Sequence, residues 1–470
     1  MISGRYQIDS YKWHAFISMI FMGAGICTLG LSLGAAVFNM AHLPIQTLVV
    51  ISAGLLLLIF PIAPAGFLLA YLVGLPFLDS LIPFFTTELS GLRFGPQILF
   101  RGGLIVLLAY YWLVNQRNPL SFRPAVPMVL LVLLLALSTL ASGIRTQLGL
   151  VTLAKHAYWM LLLLTVADMV AQGSMKLETI YRCVIISTLC FMVIVVTAPF
   201  IGIDRGSFYG IGDARGPYGS HSLALFLCLG FIVALASCPT QKNKFFLLLL
   251  LLFCVAITIS IARTYVRTGY LSFFTSLSIF TLFVWRYGRK EAILRRYRVF
   301  LSLSFVIIIG AFCVYGFAHP EAFGERISDL TGIETAGSGR TMIYKAVLKR
   351  YSDSSMLRLV FGGGLGAIYS LLGSQLYVPH NDYLVILLAG GPVGLALHLW
   401  LLVSLWRQIK LTARVTYLPL IIAGSAMATF AVATMTNPVI GYMSVMTCFS
   451  FLVGGAMGHY ARADQMHTRC

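Results

Sequence analysis

The chain has 470 residues, of which 59% are hydrophobic and only 10% charged, and its mean hydropathy is +0.90. A soluble globular surface carries about 25% charged residues, so a water-soluble enzyme is excluded and an integral membrane protein is expected. Part of the net charge of +18 belongs to cytoplasmic loops; the remainder falls on the other face and suggests an anionic ligand, with no soluble basic module that would suit nucleic acid.

The polar start, residues 1–12, leads into the first apolar run without a small-residue cleavage site, so no cleavable signal peptide is expected. Apolar runs long enough to span lipid follow at 13–40, 44–61, 66–85, 96–114, 125–142, 151–172 and 183–203. They continue at 220–238, 245–262, 269–285, 299–317, 383–406, 418–434 and 443–459. In lipid such runs must be helical, because nothing else satisfies their backbone. The expected fold is all-α: one polytopic domain over residues 1–470, with about 12–14 transmembrane helices. Residues 319–382 form its one large polar insertion. The nine Cys sit mostly within apolar runs without metal-ligand spacing and read as small packing residues.

Charge sets the orientation. Residues 286–298 carry Arg286, Arg289, Lys290, Arg295, Arg296 and Arg298 against Glu291, so this loop should be cytoplasmic. Counting spans outward, the loops with Arg117 and Arg123, Lys176 and Arg182, Lys242 and Lys244, and Arg407, Lys410 and Arg414 fall on the same side, as do both termini. Segments 204–219, 263–268, 319–382 and 435–442 fall outside.

Three outer arginine sites stand out. Arg215 directly precedes a span, Arg263 and Arg267 lie one helical turn apart, and Arg340 follows Gly337-Ser338-Gly339. Arginine presents a planar, permanently charged fork suited to phosphate, so several such forks at one membrane face would hold a pyrophosphate while its lipid tail stays in the bilayer. Each also has a plainer reading. Arg263 and Arg267 can snorkel to the interface, Arg215 can pair with Asp213 or Asp204, and Arg340 can cap a turn. His380 ends the large polar insertion, with Asn381, Asp382 and Tyr383 directly after it and Gly390-Gly391-Pro392 beyond. Its imidazole suits a general base, although a structural interface histidine is the plain alternative. His221 and His319 lack such a setting, and His156 beside Lys155 has no nameable partner. The outer acids form no metal-ligand pattern, so no metal and no cofactor are expected.

These pieces together resemble the O-antigen ligase and O-antigen (Wzy-type) polysaccharide polymerase superfamily of bacterial membrane glycosyltransferases. The resemblance rests on Arg215-Gly216-Pro217-Tyr218-Gly219, Val266-Arg267-Thr268-Gly269-Tyr270-Leu271, Ser338-Gly339-Arg340, Gly362-Gly363-Gly364-Leu365-Gly366 and His380-Asn381-Asp382-Tyr383-Leu384 with Gly390-Gly391-Pro392-Val393-Gly394. It implies an all-helical protein of the bacterial inner membrane with a periplasmic lid over a lipid-facing cavity. It also implies metal-independent, inverting transfer of a glycan from undecaprenyl pyrophosphate to an acceptor hydroxyl on the periplasmic side. His380 would then be the general base. Arg215 and Arg267 would bind pyrophosphate, with Arg263 and Arg340 in support and Asn381, Asp382 and Tyr383 around the base.

The implied partners are an undecaprenyl-pyrophosphate-linked glycan donor, a sugar or lipid-linked glycan acceptor, membrane lipid and a chain-length regulator. The two arginines 263 and 267 compete for one position. A polysaccharide polymerase is the first reading, and an O-antigen ligase acting on lipid A core is the alternative. A transporter of an anion or lipid-linked sugar is the reading from another class. It would place ionisable residues at mid-span, where Arg101 and Asp79 are the candidates.

Overall fold

The computed structural model describes residues 57, 59–80, 87–89, 92–94, 96–197, 219–264, 266–287, 290, 298, 309–310, 313–314, 317, 340–368 and 380–469. The chain divides into two compact units, Met1–Pro119 and Leu120–Cys470. Among the described residues, seven helices are long and apolar enough to cross a membrane, and three further apolar helices are shorter. The chain is thus a polytopic membrane protein, almost wholly helical among the described residues. The expected spans 13–40 and most of 44–61 and 299–317 lie outside the described residues.

In the first unit, helix α1 (Pro64–Ser80) opens on a proline, whose missing N–H costs nothing at a first turn, and runs on through Pro76. A short antiparallel hairpin follows, β1 (Thr87–Leu89) and β2 (Leu92–Phe94), with Glu88 opposite Arg93. Strands of three residues are too short to leave a period in the sequence, and the expected all-α fold had no place for them. Helix α2 (Pro96–Val114) follows. Its Phe100 ring lies 6.2 Å from Phe67 and 5.3 Å from Tyr71 of α1.

The second unit contains α3 (Ala125–Ser142), α4 (Thr146–Ala171), α5 (Leu177–Thr197), α6 (Gly219–Ser237), α7 (Lys244–Arg263) and α8 (Arg267–Tyr287). Within the polar insertion lie α9 (Arg340–Ser352) and α10 (Met356–Phe361), and after it come α11 (Asp382–Leu411), α12 (Tyr417–Thr436) and α13 (Met443–Arg469). Helix α5 starts earlier than expected, so Arg182 lies within it and not in a loop. Helix α13 runs past the expected end at 459 into a polar final stretch.

Helices α4 and α13 run parallel in matched register. The Tyr158 hydroxyl meets Thr447 Oγ1 at 2.8 Å, and the Ser450 hydroxyl donates to the Trp159 carbonyl at 3.0 Å. Further along, Gly454 and Gly458 lie against the carbonyls of Leu163 and Ala167, where any side chain would collide with backbone. Helices α8 and α12 run antiparallel. Tyr287 stacks on Tyr417 at 4.8 Å, and Phe283 packs on Gly424 and on Trp406 of α11. The start of α8 therefore shares an end of the bundle with the close of α12.

Helix α11 is not the straight span that its sequence suggests. Gly391 has φ 65° and ψ −170°, which breaks the helix. The Tyr383 and His398 rings nevertheless meet at 5.6 Å, and a Cβ on Gly394 would lie 3.4 Å from the Ile386 carbonyl. Along a straight helix, residues 383 and 398 would stand about 22 Å apart. The chain therefore folds sharply at Gly391. The arm 392–411 alone, at about 30 Å, is long enough to span lipid.

The break exposes backbone that lipid cannot solvate. Pro392 has no N–H for the Leu388 carbonyl, and the turn at Gly391 removes the donor that Ala389 would have. The glycine segment after α10 supplies both. Gly363 N–H donates to Leu388 O at 2.8 Å and Gly364 N–H to Ala389 O at 3.0 Å. A Cβ on Gly362 would overlap the Ala389 carbonyl, and one on Gly391 would overlap that of Val360. On its other side the segment is held by α3, since Leu365 N–H donates to Thr139 Oγ1 at 3.0 Å.

Gly391→Ala should therefore cost on the order of 2 kcal/mol or more, because a positive φ and a backbone collision coincide. Gly102→Ala, where an added Cβ would meet nothing within 4 Å beyond its own helix backbone, should change stability by less than about 1 kcal/mol. Thermal inactivation of the two purified variants in one detergent checks this. Equal midpoints would contradict the account of the break.

Candidate functional site

His380 sits just before α11, and the next three side chains fasten that start to the close of α12 and the turn that follows it. Asn381 caps the helix by accepting from Leu384 N–H at 3.0 Å, while its amide donates to the Met435 carbonyl at 3.0 Å. Asp382 is buried and accepts from Ile440 N–H at 3.1 Å. The Tyr383 hydroxyl donates to the Ala431 carbonyl at 3.4 Å. Such local side-chain-to-backbone bonds define both a helix N-terminus and its docking direction. His380 is left half-buried at the edge of this joint.

Helix α9 reaches the same point. The Tyr344 hydroxyl donates to the His380 carbonyl at 3.2 Å. Arg340 is the first residue of this helix, one turn before Tyr344 in sequence. The other end of α9 is tied to α10 by the Tyr351 hydroxyl, which donates to the Leu359 carbonyl. Partial burial raises that hydroxyl's pKa above its ordinary value.

Arg263 and Arg267 flank the tight turn between α7 and α8. Thr264 shapes it, donating to Ile261 O at 2.7 Å and accepting from Val266 N–H at 3.4 Å. The Tyr270 hydroxyl closes it on the Ala262 carbonyl at 2.6 Å. Arg263 is exposed and Arg267 half-buried. Gly269 lies so close to Ala224 that a Cβ there would stand 2.7 Å away, which seats the start of α8 on the first turns of α6. The antiparallel run of α8 and α12 brings this turn to the bundle end that carries His380. Arg263, Arg267, the start of α9 and His380 thus share one end, whereas Arg215 lies outside the described residues.

Several buried polar side chains within the bundle lack hydrogen-bond partners. His398 is fully buried with neither ring nitrogen hydrogen-bonded. His156, also buried, bonds Thr152 O through Nδ1 at 2.9 Å and leaves Nε2 without a partner. It lies within electrostatic reach of His398, and the edge of the Tyr383 ring closes on His398 at 71°. Asn437, fully buried, has neither end of its amide satisfied. The sequence had offered Arg101 and Asp79 as mid-span ionisable groups and passed over His398. A single imidazole hardly lowers the hydropathy of a long apolar run, so no sequence signal marked it. Among the described residues, no group of three or more His, Cys, Asp or Glu side chains could hold a metal ion.

The chain matches no protein-family model and no curated protein.

Two substitutions separate held from unheld polar groups. Asp382→Ala should destabilise by about 1–3 kcal/mol, since it strands the buried Ile440 N–H. His398→Leu should leave stability unchanged or raise it by about 1 kcal/mol, because no hydrogen bond is lost with the imidazole. Thermal inactivation in detergent reads both, and a strongly destabilised His398→Leu would contradict the second.

Proposed function

We propose that this protein is a membrane glycosyltransferase that moves a glycan from undecaprenyl pyrophosphate to an acceptor hydroxyl, with His380 as general base. The reading is supported most by the joint at His380. Three successive side chains fix the histidine's position against α12 and the turn after it, and Tyr344 of α9, a helix that begins at Arg340, bonds its carbonyl. Such fixing suits a group that must meet a hydroxyl at hydrogen-bond distance. Arginines at the same end supply the positive charge that a pyrophosphate requires.

In this reading the acceptor oxygen attacks the anomeric carbon from the face opposite the pyrophosphate. Its proton passes to the His380 imidazole as the bond from carbon to phosphate oxygen breaks, and the sugar inverts. Arg267, half-buried at the head of α8, is the better-placed cation for the departing charge. Arg263, Arg340 and Arg215 support it. Fixed cations of this kind contribute several kcal/mol to the transition state. The opposite end of the bundle carries Lys176, Lys242, Lys244, Arg407, Lys410 and Arg414, which supports a cytoplasmic side there and a periplasmic one at His380. Polymerase is retained as the first form of the reaction and ligase as the second.

The broken α11 and the buried imidazoles favour a second reading, transport of a lipid-linked sugar, because transporters use interrupted helices and buried ionisable groups. Proteoliposomes loaded with lipid-linked repeat units separate the readings. His380→Ala should reduce glycan transfer by about 10²–10⁴-fold with donor binding intact. Turnover at the wild-type rate would rule out the base, and donor flux without glycan transfer would favour transport. Transfer to lipid A core as sole acceptor would select the ligase over the polymerase.

A further inference from the structure

A cavity of about 1050 Å³ opens at the other end of the bundle, among α5, the close of α6, α7 and the start of α12. Helix α12 separates it from the His380 joint by about 30 Å, so it is distinct from the proposed site. Its volume lies at the upper end of the range, about 300–1,000 Å³, typical of ligand sites.

The walls differ in character. Leu189 of α5 and Phe246 and Leu249 of α7 line the cavity and are also about half exposed on the flank of the bundle, so the cavity opens sideways toward lipid. Arg182, Gln241, Tyr181 and His459 line it too. The Tyr181 hydroxyl and His459 Nε2 are buried without hydrogen-bond partners, and Tyr181 as a residue is 7% exposed. A buried hydroxyl without a partner is costly, and a phosphate oxygen would satisfy it. Glu178 lines the cavity as well, opposite Arg182 in charge. Arg462 lies within electrostatic reach of His459, and Lys176, Lys242 and Lys244 stand within a few residues of the lining in sequence, so the mouth as a whole is net positive. The apolar side faces lipid and the polar side lies at the helix ends. That is the layout of a phospholipid in its leaflet, and basic groups at a membrane surface select anionic headgroups.

We infer that this cavity binds one anionic glycerophospholipid, with an acyl chain along Leu189, Phe246 and Leu249 and the headgroup phosphate at Tyr181, Arg182 and His459. The inference does not depend on the proposed glycan transfer.

Full-length protein in neutral detergent, offered equal phosphatidylglycerol and phosphatidylcholine, tests it by mass spectrometry of the lipid retained after gel filtration. Wild type should retain about one phosphatidylglycerol and favour it about tenfold. Arg182→Gln and Tyr181→Phe should each reduce that preference several-fold, whereas Arg182→Lys should keep most of it, which distinguishes lost recognition from misfolding. Leu249→Trp should expel both lipids while the protein still elutes as a single folded species. Equal retention of the two lipids would overturn the inference, as would variants indistinguishable from wild type. Displacement of the lipid by millimolar inorganic phosphate alone would also overturn it, since a headgroup-only site would remain.

Discussion

Two carbonyls that lack their helical donors, Leu388 and Ala389, organise the second unit of this protein. Water is not at hand in a bilayer, so a helix interrupted at Gly391-Pro392 exists only if other backbone supplies the missing donors. Gly363 and Gly364 supply them, and glycine is required at 362 because any side chain there would overlap the Ala389 carbonyl. The same segment reaches Thr139 of α3. Three consecutive N–H groups, of Gly363, Gly364 and Leu365, therefore tie the polar insertion to the broken α11 and to the α3 face. The fold of α11 in turn sets the angle at which its first arm, headed by His380, meets α12.

The two glycine motifs were both visible in the sequence, but their contact was not. Hydropathy reads the chain in one dimension and registered residues 383–406 as a single apolar run. Nothing in that run says that Tyr383 and His398 touch. Where prolines or charges bracket an apolar run, the reading was close: α2 and α3 begin and end where expected, and α7, α8 and α12 differ by a few residues. It failed where a helix continues into polar residues. Helix α5 starts on Leu177 and takes in Arg182, and α13 continues well beyond His459.

The site divides along the same line. His380, Asn381, Asp382 and Tyr383 stood out because four polar or aromatic groups together at the mouth of an apolar run are unusual. Their work became clear only in three dimensions, since Met435, Ala431 and Ile440 accept or donate through main-chain atoms and main chain carries no sequence signature. The buried imidazoles at 156 and 398 show the converse. Each looks incidental in sequence, and their proximity arises only because α4 and the far arm of α11 meet. Arg263 and Arg267, equivalent as letters, differ by place: one projects from a helix end, while the other is half enclosed at a helix start.

The parallel alignment of α4 with α13 bears on how the protein is made. Tyr158 and Thr447 are 289 residues apart. At ribosomal rates of about 5–20 residues per second, α4 waits roughly 15–60 s in the membrane before its partner is synthesised. For that interval the carbonyls that Gly454 and Gly458 later cover face lipid or a temporary neighbour. Assembly of this bundle thus has a vulnerable period, during which a membrane insertase or a chaperoning helix would have the most to protect.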